Sequence, residues 1–68
     1  MASYLVNSNS QSNGDHEVHV TTCTHLPIPS NQVSLGSFDS CRTAVAAAKA
    51  YYSQSNGCRW CCPACHTT

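Results

Sequence analysis

Apolar and polar positions alternate most cleanly over residues 16–23, where Val18 and Val20 fall on one face and Glu17, His19, Thr21 and Cys23 on the other. A period of two predicts a strand. Residues 3–6 predict a shorter one, because Tyr-Leu-Val is β-prone, and residues 33–38 a third, with Val33 and Leu35 on one face. Gly36 within that third run marks a bulge or a close backbone approach. Between the second and third strands, Leu26-Pro27-Ile28-Pro29 fixes φ at two positions and lacks two backbone donors. It reads as a stiff crossing loop that turns at Ser30-Asn31-Gln32.

The pattern then changes period. Residues 41–53 are dominated by alanine, the best helix former, and Asp39 or Ser40 can cap their amides. Cys41, Val45, Ala48 and Tyr52 form one stripe flanked by Ala44 and Tyr51, with Arg42 and Lys49 off it, which turns Cys41 toward the sheet. Asn56-Gly57 tolerates positive φ and is expected to end the helix. Residues 7–15 are a flexible polar loop to which we attach no function, and residues 54–68 are a cysteine-rich tail. The expected fold is α+β: a small antiparallel sheet of about three strands with one helix packed on it.

Length changes the picture by limiting the core. Sixty-eight residues make one mini-domain, and Leu, Ile, Val and Phe together number only ten. A core in a domain of this size supplies only about 3–5 kcal/mol, so a disulfide or a metal is expected to add to it. The aromatic residues Tyr4, Phe38, Tyr51 and Tyr52 are best spent on packing, whereas Trp60, set between cysteines, is placed to cover them from water.

Charge excludes more than it assigns. Arg42, Lys49 and Arg59 balance Asp15, Glu17 and Asp39, and no two basic residues are neighbours, which argues against nucleic acid or an anionic membrane and for a protein partner. No apolar run approaches the roughly 20 residues of a membrane span. The N-terminal residues lack a signal-peptide pattern, so the expected setting is cytoplasmic, with export by a non-classical route as the alternative, and the expected state is a monomer.

Six cysteines and four histidines carry the candidate chemistry. Cys58/Cys61 and Cys62/Cys65 are abutting Cys-x-x-Cys units, a spacing that lets two thiolates converge on one ion at about 2.3 Å. Four ligands within eight residues would strain to enclose one tetrahedral ion, so ligands from elsewhere are expected to join. Cys23, Cys41 and His66 are the candidates that complete the cluster or form a second staple, and His25 or His19, which shares a strand face with Cys23, are further donors. Zinc in a structural site is the preferred reading. His16 and His19 lie three apart on a strand and point to opposite faces, so they do not share an ion.

The alternative is a disulfide framework in an exported domain, since the cysteine count is even and the chain short. A Cys23–Cys41 bridge would staple sheet to helix, with the other four cysteines tying down the tail. A vicinal Cys61–Cys62 bond is disfavoured by disulfide geometry. Cys62-Pro63-Ala64-Cys65-His66 also matches a haem-attachment pattern and a redox-dithiol pattern. Haem would need an apolar pocket that ten large apolar residues do not supply, and a redox dithiol normally opens a helix in a βαβ setting. Without paired carboxylates or a nucleophile motif, the expectation is a non-enzymatic binding or structural module, dithiol exchange being the one enzyme class the residues keep open.

Tyr4-Leu5-Val6-Asn7, Gly14-Asp15-His16-Glu17-Val18-His19, Leu35-Gly36 and the tail from Gly57-Cys58 through Cys61-Cys62-Pro63 to Cys65-His66 together resemble a group of short bacterial proteins of no established activity. The resemblance spans nearly the whole chain. It implies a bacterial source and synthesis without a signal peptide, and it assigns no functional residue.

Overall fold

The structure is a computed structural model and describes residues 1–67. Strands β1 (Ala2–Asn7), β2 (His16–Val20) and β3 (Gln32–Phe38) precede a helix, α1 (Cys41–Ala48), and a last short strand, β4 (Ser55–Gly57). They form one four-stranded sheet in the order β3-β1-β2-β4. The first three strands pair antiparallel, with Tyr4 opposite Val20 and Val6 opposite both Val18 and Val33. β4 pairs parallel to β2, so the sheet is mixed. The fold is α+β, with one helix and one strand more than the three expected.

Strand alternation divides the sheet as the sequence pattern requires. Tyr4, Val6 and Val18 are buried on the face covered by Ala44 and Ala48 of α1, together with Cys62. Val20, Val33, Leu35, Phe38, Cys41, Val45 and Tyr52 pack around that centre. Leu5, Glu17 and His19 alternate with these residues and belong to the opposite face. At Gly36, φ is +98°, and the β1–β3 register slips between Tyr4 and Leu5, so the glycine sits at a β-bulge.

Two local expectations are corrected. The helix stops at Ala48 rather than running to residue 53, passing into turns that set Tyr52 in a stack on His16 with ring centroids 3.9 Å apart. Asn56-Gly57 does not cap the helix but lies in β4, held by register with Glu17 and Val18. Gly57 is needed there for space and not for positive φ: a Cβ would come within 2.7 Å of the Cys65 Cβ and 2.9 Å of the Cys62 carbonyl oxygen.

The polar loop after β1 closes onto β4. Asp15 is buried, its amide donates to Asn13 Oδ1 at 2.9 Å, and its carboxylate accepts from Gln54 Nε2 at 2.8 Å and from Asn56 Nδ2 at 3.3 Å. The His16 amide donates to the Gln54 carbonyl at 2.9 Å, which extends the β2–β4 pairing by one bond. Among the described residues, no helix is long and apolar enough to cross a membrane.

Candidate metal centre

β2 places His19 on the face away from α1, where its side chain is 1 % exposed. One residue past the strand the chain reverses: the Cys23 amide donates to the Val20 carbonyl at 3.1 Å, a turn that brings the Cys23 thiol back toward His19. The strand therefore ends at Val20 and not at Cys23, and the turn, rather than alternation, puts the two side chains together.

The other two donors come from the chain leaving β4. The Cys58 amide donates to the Val18 carbonyl at 2.9 Å, continuing the parallel pairing, and sets the fully buried Cys58 beside β2. The Cys62 amide then donates to the Cys58 carbonyl at 2.8 Å, closing one helical turn that carries Cys61 back over Cys58. One ligand atom from each of His19, Cys23, Cys58 and Cys61 lies within 4.8 Å of the other three. Three thiols and an imidazole form the Cys₃His set that suits a tetrahedral soft-metal site. A tetrahedron with metal–sulfur bonds of about 2.3 Å has edges of about 3.8 Å, so closing on an ion requires contraction of about 1 Å at most. The Cys61 Sγ to His19 Nδ1 separation is already 3.9 Å.

Backbone donors point at two of these sulfurs. The His25 amide donates to Cys23 Sγ at 3.4 Å and the Trp60 amide to Cys58 Sγ at 3.4 Å. Each bond runs from residue i+2 back to the cysteine, and an N–H aimed at sulfur is worth more once that sulfur is charged. The same two residues stack their rings, His25 on Trp60, with centroids 4.7 Å apart, and the Arg59 guanidinium lies 5.1 Å from the Trp60 ring centroid. Trp60 remains 61 % exposed. Its backbone, rather than its ring, serves the cysteines.

Burial governs the titrating groups. Desolvation lowers the His19 pKa, partly opposed by Glu17, so the ring stays neutral and its lone pair free to coordinate. Burial likewise pushes the Cys61 thiol far above its ordinary range, with the neighbouring cysteines adding to the shift. In the absence of a cation Cys61 therefore stays a thiol, and a bound cation would reverse that preference. On its far side, His19 Nε2 is buried with no hydrogen-bond partner among the described residues, and the Glu17 Oε1 carboxylate oxygen is 3.5 Å away.

The candidate ligands thus divide between two places. Cys23, Cys58 and Cys61 lie in the group, joined by His19, which sequence spacing offered only as a further donor. Cys62, 3.8 Å from Cys61 by sulfur, sits in the apolar core against α1. Cys41 and Cys65 are bonded to each other, which replaces the Cys23–Cys41 bridge of the disulfide reading. His66 donates from Nδ1 to the Gly57 carbonyl at 3.0 Å, fastening the tail to β4. Zinc-type donors and a disulfide, read from sequence as competitors, occupy different faces of one fold. No protein-family model matches the chain, and no curated protein or solved structure matches it either.

Proposed function

We propose that the chain is a non-enzymatic binding or structural module whose His19, Cys23, Cys58 and Cys61 take one zinc ion. The observation that carries this reading is the convergence of four soft donors from two distant segments within 4.8 Å. Bound there, the ion ties the turn after β2 to the turn after β4, and because no such site exists in the unfolded chain, its binding free energy adds to folding. Redox catalysis is disfavoured by the fate of the Cys62-Pro63-Ala64-Cys65 pair: Cys65 is bonded to Cys41, and Cys62 is 1 % exposed. A protein partner suits a chain of zero net charge better than nucleic acid does.

The test is the native mass of untagged protein, before and after chelator. Zinc adds about 63 Da to the metal-free chain and is lost with chelator, together with the share of stability that its binding contributes. A chelator-treated sample that matches the untreated one in mass and in urea midpoint refutes the reading.

The Cys41–Cys65 bond supports a second reading, an exported domain stapled by a disulfide, because such bonds persist in oxidising compartments. Alkylation of the freshly isolated protein before reduction tests for the bridge on which this second reading rests. Four reactive thiols in denaturant indicate the bridge, and six exclude it.

A further inference from the structure

The two nitrogens of the His19 ring face different surroundings. Nδ1 faces the thiols, 3.9 Å from Cys61 Sγ, and Nε2 points the other way into a buried position with no hydrogen-bond partner among the described residues. A neutral imidazole that gives its Nδ1 lone pair to a metal carries its proton on Nε2. That N–H is then buried and in need of an acceptor. Glu17 precedes His19 by two positions, so strand alternation sends both side chains to the same face, and its Oε1 stands 3.5 Å from Nε2. The gap exceeds the usual 2.7–2.9 Å of a charge-assisted hydrogen bond by roughly 0.7 Å, which a small side-chain rotation can close.

We propose that Glu17 is the positioning residue of this metal centre: its carboxylate accepts the His19 Nε2–H and holds the ring in the tautomer that presents Nδ1 to the ion. The inference rests on the zinc reading above. The carboxylate also makes the imidazole a stronger donor, as in other carboxylate–histidine–metal relays. His16 is set apart from this arrangement, its ring stacked on Tyr52 and its Nδ1 2.9 Å from the Asn7 carbonyl oxygen.

The experiment titrates zinc against a chromophoric chelator in the full chain, as wild type, Glu17→Gln and Glu17→Ala, and records the His19 ring nitrogens by NMR in the zinc-loaded proteins. Glu17→Ala weakens zinc by about 10–100-fold. Glu17→Gln, which keeps an acceptor oxygen and nearly the same shape, recovers part of that loss. In the wild type Nδ1 carries the metal signature and the Nε2 proton exchanges slowly, whereas in Glu17→Ala that proton exchanges fast. Wild-type affinity and slow exchange in Glu17→Ala overturn the assignment while leaving the zinc reading intact, as does a metal signature on Nε2. Failure of the wild type to load zinc overturns both.

Discussion

His19 Nδ1 stands 3.9 Å from Cys61 Sγ across 42 positions of sequence. What joins them is the parallel register of β4 on β2, with Val18 opposite Gly57, since the residue after each of these two, His19 and Cys58, belongs to the donor group. Gly57 therefore supports the site without touching it. Its missing side chain admits Cys65 and the Cys62 carbonyl, both closer than 3.0 Å to where a Cβ would be. Gly57→Ala is expected to destabilise the fold by about 1–3 kcal/mol through overpacking, read as a lower urea midpoint. Unchanged stability would show that the tail can move aside.

The two sets of cysteines predict opposite responses to single substitution. Cys58→Ala removes a donor from the buried group and should abolish stoichiometric zinc uptake. Cys62→Ala removes a core sulfur beside Tyr4, Val6 and Val18, and should leave one zinc per chain while lowering stability by about 1–2 kcal/mol. Metal analysis of the two purified variants, with unfolding curves, checks this. Zinc lost from Cys62→Ala would move Cys62 into the ligand set.

Much of this arrangement was legible in the sequence, and the remainder depended on pairing between distant segments. Alternation along β2 separated Val18 from Glu17 and His19, and the Cys41, Val45 and Ala48 stripe named the helix face that meets the sheet. Ser55, Asn56 and Gly57 carry no strand propensity: they are a strand because β2 offers them hydrogen bonds, which local pattern does not encode. The donor types in Cys58-x-x-Cys61 were readable for the same local reason that their partners were not. Adjacency in sequence grouped Cys62 and Cys65 with them, but the turn closed by the Cys62 amide on the Cys58 carbonyl sends that pair toward α1. His19 was readable only as one further donor among several, since a histidine in an alternating strand reads as surface until Cys58 arrives beside it.

The disulfide and the metal centre should respond independently. Cys41 and Cys65 are 24 positions apart, and closing a loop of that length in the unfolded chain is worth about 3–4 kcal/mol in the chain-entropy model. The double variant Cys41→Ala/Cys65→Ala should lose about that much stability yet keep one zinc. Urea unfolding with metal analysis tests it. Loss of zinc together with the bridge would mean that α1 and the tail hold the donors in place.

The metal-free and metal-loaded proteins should differ in how stability varies with pH. In chelator-treated protein, burial lowers the His19 pKa, so below about 6.5 the unfolded chain takes up a proton that the folded chain refuses, and stability falls as pH falls. Burial raises the Cys61 pKa, so above about 8.5 the unfolded chain releases a proton that the folded chain retains, and stability falls as pH rises. Metal-free protein is then most stable between these limits. Zinc ionises Cys61 within the fold, which removes its share of the alkaline loss, while the buried Cys62 and Tyr4, whose pKa values are also raised by burial, keep theirs. On the acid side zinc binding should weaken steadily, because protons compete for the thiolates and for the His19 ring. Urea midpoints measured from pH 5 to 10, with and without zinc, should therefore show an alkaline decline that is shallower when the metal is present. Identical alkaline limbs would place Cys61 outside the ligand set.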